Sequence, residues 1–116
     1  MTITLYGIKN CDTVKKARNW LEQHDIHYQF VDHRVDGLDD ENLQLWLDKL
    51  GWESLVNKRS TTYRALSDTD KANLGAGTAA ALLKANPTLI KRPLLVLSDE
   101  LHLGFKPELY AHLFNK

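Results

Sequence analysis

The sequence predicts an α/β fold in which a βαβ unit and a later ββα unit are separated by a helical insertion. Three patterns support this prediction. The spacing of apolar residues changes from two to about 3.6 near Cys11, a second apolar strand follows that helix, and a polar turn late in the chain separates two more strands. Because 116 residues can bury a core without disulfides or a structural metal, we expect one domain spanning residues 1–116.

The βαβ unit is predicted at the start of the chain. Ile3 and Leu5 alternate with Thr4 and Tyr6 as a first strand, and Gly7 begins the turn. The helix that follows has apolar residues at helical spacing, namely Val14, Ala17 and Leu21. Residues 27–32 form a second strand, which the right-handed crossover rule makes parallel to the first. Cys11 is therefore expected at the carboxyl end of the first strand, the usual ligand-binding edge of such a sheet.

The helical insertion is expected over approximately residues 38–90. Its first helix has an apolar face made of Leu43, Trp46, Leu47 and Leu50. Asp39 or Asp40 can cap the start of this helix, and Gly51 can end it. Ser67 and Thr78 are the predicted N-caps of two further short helices.

The ββα unit is predicted at the end of the chain. Two apolar runs, residues 94–97 and 101–105, flank the polar residues 98–100 and indicate a β-hairpin. Pro107 is suited to the first turn of a helix and is predicted to open the last one.

Composition limits the classes of function. Fifteen basic residues balance fifteen acidic ones, so no overall field would attract a nucleic acid. The N-terminal residues do not resemble a signal peptide, and no apolar run approaches the ~18 residues of a membrane span. One cysteine cannot form an internal disulfide. We therefore expect a cytoplasmic protein with no nucleic-acid or membrane partner.

The histidines do not predict a metal site. None of the five is paired with another at a compact ligand spacing, and a single cysteine cannot complete a zinc-type cluster. We expect them to face solvent, and we predict no metal and no tightly bound cofactor.

Cys11 is the candidate nucleophile because of its position. A thiol at a strand-to-helix turn lies beside the unpaired N–H groups and the positive end of the helix dipole, which favour the thiolate. An unperturbed cysteine is only ~3% thiolate at pH 7. Since one helix terminus usually contributes only ~0.3–1 kcal/mol, additional cations or hydrogen bonds are needed. The competing interpretation is a small buried residue that is chemically inert.

Three segments carry a resemblance to a known family. Residues 6–13 (YGIKNCDT), 55–59 (LVNKR) and 91–95 (KRPLL) resemble the arsenate reductase-related family, ArsC/Spx/MgsR, and the whole chain most closely resembles its YffB-like branch. The resemblance implies a thioredoxin-like fold, a reactive Cys11 and a cis Arg92–Pro93 peptide bond facing the thiol. A glutathione-dependent thiol reductase activity has been suggested for that branch.

The predicted site centres on Cys11 and Arg92. A guanidinium can hold a thiolate, an oxyanion or a glutathione carboxylate through its fork of donors, so Arg92 is the predicted anion stabiliser. Asn10, Arg59, Pro93 and Lys106 are the predicted ligand-binding residues. A surface charge at a strand entrance is the alternative for Arg92, and a solvated position is the alternative for Arg59 and Lys106.

The single thiol determines which reaction cycle is predicted. Val14 occupies the position of a C-x-x-C partner, so a second thiol must come from outside, and glutathione is the expected co-substrate. Glutaredoxin is a further candidate partner. Arsenate reduction and a non-enzymatic, Spx-like protein-binding role are the alternatives. The resemblance places a histidine at Gly7 and arginines at Asn57 and Lys106 in many arsenate reductases, and their absence here ranks arsenate below a disulfide as substrate.

Overall fold

The computed structural model describes residues 3–75, 77–98 and 100–116, which form four strands and eight α-helices in these ranges. The strands are β1 (Ile3–Gly7), β2 (Gln29–Asp32), β3 (Leu94–Leu97) and β4 (Glu100–Leu103). The helices are α1 (Asp12–Gln23), α2 (His33–Asp36), α3 (Asp40–Leu50), α4 (Trp52–Leu55), α5 (Thr61–Ala65), α6 (Asp68–Asn73), α7 (Ala79–Ala85) and α8 (Pro107–Phe114), with a 3-10 turn at Pro87–Leu89.

The chain divides into two compact units. The first contains the residues up to Asp32 together with Arg92–Lys116, and the second contains His33–Lys91. The expected insertion, residues 38–90, falls inside the second unit. The prediction of one domain over residues 1–116 stays a prediction.

The first unit is built on a four-stranded sheet in the order β2-β1-β3-β4. Strand β1 pairs in parallel with β2 and antiparallel with β3, and β3 pairs antiparallel with β4. The mixed α/β fold and the parallel first pair are as predicted. This topology brings the end of β1, the end of β2 and the start of β3 to one edge of the sheet.

The core of the first unit lies between this sheet and its helices. The predicted apolar face of α1 is fully buried, and it joins Leu5 and Leu95 from the central strands. Tyr110 of α8 is also completely buried and meets Trp20 and Phe105 edge-on, at 5.6 and 4.7 Å between ring centroids. This packing fixes α1, and with it the helix terminus next to Cys11.

The second unit confirms most of the predicted caps. The Asp39 carboxylate accepts from the Glu41 N–H at the start of α3, and the Ser67 hydroxyl accepts from the Asp70 N–H at the start of α6. Gly51 ends α3 with a φ of 82°, a left-handed conformation that favours glycine. Thr78 precedes α7 but does not cap it, because its hydroxyl donates to the Asn73 carbonyl instead.

The structure corrects two strand boundaries. Strand β2 begins at Gln29 and not at residue 27, because its ladder with β1 starts at the Thr4–Gln29 pair. Strand β4 includes Glu100 and stops at Leu103, because Gly104 turns the chain with a φ of 82°. Asp99, in the predicted polar turn, lies outside the described residues.

The expectation that all five histidines face solvent is wrong for His33. Its side chain is 1% exposed, and its ring lies 6.1 Å from that of Trp46. The packing of His33 against Trp46, a residue remote in the chain, accounts for this burial. The sequence pattern alone did not indicate this burial.

Candidate active site

Cys11 is the N-cap residue of α1. Its backbone is extended, with φ −94° and ψ 125°, and the Lys15 N–H donates to its carbonyl at 2.9 Å. Serine, threonine or aspartate usually occupies this position, where a side-chain oxygen accepts from the second and third helical N–H groups. Here the side chain makes no capping hydrogen bond, but the N–H groups of Thr13 and Val14 act on the sulfur and lower its pKa. The helix terminus therefore influences the thiol electrostatically.

Val14 packs closely against the end of β1. A Cβ added at Gly7 would lie 2.7 Å from Cγ2 and 3.2 Å from Cγ1 of Val14, whose side chain is completely buried. Such a distance is well inside van der Waals contact. Position 7 therefore requires glycine as long as position 14 carries valine, and the two residues are matched in size.

Arg92 reaches the thiol from the neighbouring strand. Because β3 runs antiparallel to β1 and Leu94 pairs with Tyr6, the residues just before β3 lie at the sheet edge where β1 ends. The half-buried Arg92 side chain hydrogen-bonds to Cys11. The Arg92–Pro93 peptide bond is cis, and the buried Pro93 accepts from the Gly104 N–H at 2.8 Å.

These contacts lower the pKa of Cys11. Partial burial of the sulfur is the largest single influence and raises the pKa, but it is outweighed by the N–H groups of Val14 and Thr13 and by the Arg92 guanidinium, which acts through both a hydrogen bond and its charge. The thiol is partly exposed, so a reactant can approach it. A partly exposed thiolate of lowered pKa is the usual form of a reactive cysteine.

Asp32 also belongs to this edge, and the sequence reasoning missed its role. It ends β2, is 4% exposed and accepts from the Lys9 N–H at 3.1 Å, in the turn that leads to Cys11. The sequence carried no signal for this contact, because the Lys9–Asp32 hydrogen bond joins segments that are 23 residues apart in the chain.

The other predicted ligand-binding residues have fewer described contacts. Asn10 is exposed in the turn immediately before Cys11, and Lys106 is the exposed N-cap residue of α8. Arg59 belongs to the second unit, where its backbone N–H donates to the Asn57 side chain at 3.1 Å. Neither Arg59 nor Lys106 is among the groups that shift the pKa of Cys11. Their roles in ligand binding stay predictions.

Within residues 3–75, 77–98 and 100–116, no three His, Cys, Asp or Glu side chains are grouped as metal ligands would be. No helix there has the length and apolar character needed to cross a bilayer.

The lowered pKa predicts the pH dependence of Cys11 alkylation. The rate of reaction with iodoacetamide should rise with pH and reach its midpoint at a lower pH in the native protein than in the urea-unfolded chain, because only the thiolate reacts. The unfolded chain is the control, since it carries the same single thiol without the helix terminus or Arg92. Coincident midpoints in the two states would show that Cys11 is not activated.

Comparison with known proteins agrees with this geometry. Residues 6–113 match the ArsC family. A solved protein named YffB is 45% identical, with a TM-score of 0.91, and the alignment covers 96% of this chain and 97% of that one. An arsenate reductase (ArsC) related protein from Brucella melitensis is 46% identical, with a TM-score of 0.78 and coverage of 100% and 97%. The global transcriptional regulator Spx of Listeria innocua is 30% identical over 91% of this chain and 82% of its own. These matches confirm the predicted thioredoxin-like fold and the YffB-like resemblance, and the chain belongs to the ArsC family.

Proposed function

We propose that this protein is a glutathione-dependent thiol-disulfide reductase with Cys11 as its nucleophile. The observation that supports this proposal is a partly exposed thiol whose pKa is lowered by the N–H groups of Thr13 and Val14 and by the Arg92 guanidinium. A site of this kind stabilises a thiolate both as attacking group and as leaving group. The cytoplasmic glutathione pool is the proposed reductant.

The proposed cycle has two exchange steps. The Cys11 thiolate attacks the glutathione sulfur of a mixed disulfide, a Cys11–glutathione disulfide forms, and the substrate leaves as a thiolate that takes up a proton. The thiolate of a second glutathione then attacks the glutathione sulfur held by Cys11. Oxidised glutathione leaves, and the Cys11 thiolate is regenerated. Over the whole cycle, the mixed disulfide and one glutathione thiol are converted to the substrate thiol and oxidised glutathione, and the proton of that glutathione balances the one taken up by the substrate.

A thiol from outside the protein is proposed because position 14 carries valine and not cysteine. Val14 lies three residues after Cys11, and its side chain is buried against Gly7. No other cysteine is present in the chain, so Cys11 cannot be released from a mixed disulfide by an internal partner. A small thiol, with glutaredoxin as a further candidate, is therefore the proposed resolving group.

Arsenate reduction is the competing enzymatic function, and family membership supports it. Arsenate is a compact oxyanion that needs several convergent donors. Here the charged side chain that acts on the thiol is Arg92. A side chain at position 7 has no room, because Val14 fills that space. Asn57 and Lys106 occupy the positions where the resemblance places arginines. This donor set suits a thiol ligand better than a small oxyanion.

A non-enzymatic regulatory function is the second alternative, and the Spx relative supports it. A protein-binding role does not require an activated thiol. The lowered pKa of Cys11 and its interaction with Arg92 therefore favour the enzymatic function over a non-enzymatic protein-binding role.

The proposal predicts covalent capture of one glutathione. After incubation with oxidised glutathione, intact-protein mass spectrometry should show a single glutathione adduct, and Cys11→Ser should show none. With reduced glutathione present, the wild type should reduce a glutathione mixed disulfide while Cys11→Ser stays at the background rate, and arsenate turnover should be weak. An unreactive Cys11 would favour the protein-binding role. Strong Cys11-dependent arsenate turnover without disulfide reduction would reverse the order of the two enzymatic functions.

A further inference from the structure

The turn that presents Cys11 is held in place by a carboxylate from another strand. Asp32 lies beside the start of this turn, because it pairs with Gly7 in the parallel β1–β2 ladder. Its Oδ2 accepts from the Lys9 N–H at 3.1 Å. Two residues further on, the Cys11 N–H donates to the Ile8 carbonyl at 3.2 Å and closes the turn.

The carboxylate that makes this contact is buried. Asp32 is 4% exposed, and burial of a carboxylate is unfavourable unless hydrogen bonds replace its lost water. The bond goes to a backbone N–H, so it fixes the path of the chain and does not depend on the exposed side chain of Lys9.

The residues of this turn differ in their exposure. Ile8 is buried at 6% exposure, whereas Lys9 and Asn10 are exposed, and Cys11 follows them as the N-cap of α1. The N–H groups of Thr13 and Val14 act on the sulfur from the first turn of α1, which follows the extended backbone of Cys11. The Asp32–Lys9 hydrogen bond therefore holds the backbone two residues before Cys11, the residue whose thiol must be oriented toward α1.

We propose that Asp32 is a positioning residue for Cys11, whose carboxylate anchors the Lys9 N–H and so orients the thiol toward the first turn of α1. The inference rests on Cys11 being the nucleophile of the proposed function. The effect of Asp32 on the sulfur passes through the backbone of residues 8–11.

The test compares two Asp32 variants with a matched control. Asp32→Ala removes the acceptor, and Asp32→Asn keeps an acceptor oxygen but removes the charge. Asp25→Asn removes a charge from an exposed residue of the same unit, whose φ of 55° asparagine also tolerates. The readout is the pH profile of Cys11 alkylation by iodoacetamide, with circular dichroism to establish folding. This readout uses no glutathione, so it is independent of the reductase assay.

Asp32→Ala should alkylate about three- to tenfold more slowly than the wild type at pH 6, because a displaced thiol loses its helix donors. Asp32→Asn should recover most of that loss, and Asp25→Asn should match the wild type. Unchanged reactivity in folded Asp32→Ala would overturn the proposal. Faster reaction in both Asp32 variants would also overturn it, since it would mean that the carboxylate opposes the thiolate by its charge.

If Asp32→Ala does not fold, the proposal is tested by amide hydrogen exchange in the wild type and in Asp32→Asn. The proposal requires the Lys9 amide to be protected in the wild type. Any loss of that protection in Asp32→Asn must be accompanied by slower Cys11 alkylation, and retained protection must be accompanied by wild-type reactivity. An unprotected Lys9 amide in the wild type, or lost protection with unchanged Cys11 reactivity, would overturn the proposal. A positioned thiol that nevertheless fails to reduce disulfides would count against the reductase function alone.

Discussion

Replacing Arg92 with alanine is expected to slow alkylation of Cys11 about tenfold at pH 6. Arg92 lowers the pKa of the thiol by donating a hydrogen bond and by its positive charge, and both are lost in the variant. A hydrogen bond to a charged group contributes about 1.5–3 kcal/mol, and we use the lower end because the sulfur is open to water. About 1.4 kcal/mol corresponds to a tenfold change in the thiolate population.

The effect of Arg92→Ala on the alkylation rate depends on pH. Loss of Arg92 raises the pKa of Cys11 toward its ordinary value, so the difference in rate is largest below the wild-type midpoint and disappears at high pH, where both proteins are fully thiolate. Reduction of the glutathione mixed disulfide at pH 6 should fall in parallel. Arg92→Lys should recover part of the loss, since it restores the charge without the planar fork of donors.

Arg18→Ala is the matched control for Arg92→Ala. Arg18 belongs to the same unit, but its guanidinium lies 4.2 Å from the centroid of the Phe30 ring and its Nε donates to the Tyr28 hydroxyl. It is not among the groups that shift the pKa of Cys11. The two variants therefore remove the same positive charge at different places. Equal rates for Arg92→Ala and the wild type would show that Arg92 does not stabilise the thiolate.

The largest expected effect on stability is at Gly7. Gly7→Ala should lower the free energy of unfolding by about 1–3 kcal/mol, because the new methyl group would overlap Cγ2 of the fully buried Val14. The displaced Val14 also carries one of the two backbone donors to Cys11, so alkylation of the thiol should slow as well. Equilibrium urea unfolding, followed by circular dichroism, measures the first effect.

A double variant tests the steric explanation. Val14→Ala alone should destabilise the protein by about 2 kcal/mol through lost burial and a cavity. In Gly7→Ala/Val14→Ala the clash is absent and the new methyl group fills part of that cavity, so the cost should be smaller than the sum by about 0.5–3 kcal/mol. Gly77→Ala is the control, since an added Cβ there meets no atom within 4 Å. Additive costs would contradict the proposed size match between positions 7 and 14.

The candidate site was only partly predictable from the sequence. The period change near Cys11 located the helix terminus, and the residues around Arg92 carried the family resemblance, so these two candidate residues could be named in advance. Asp32 and the Gly7–Val14 pair could not. The position of Asp32 depends on the β1–β2 ladder, and the Gly7–Val14 contact depends on how closely α1 packs against β1. Each is set by contacts between different secondary-structure elements.

The same division applies to the fold. The sequence by itself determined the strands of the βαβ and ββα units, the buried face of α1, the Asp39 and Ser67 caps and the proline-initiated last helix, because each depends on residues within one or two turns of each other. Only the tertiary structure decided the burial of His33, the length of β2 and the hydrogen bonds to the Cys11 sulfur. Local propensity is encoded residue by residue, whereas burial, ladder ends and the pKa of a thiol are set by whichever remote groups the fold brings alongside.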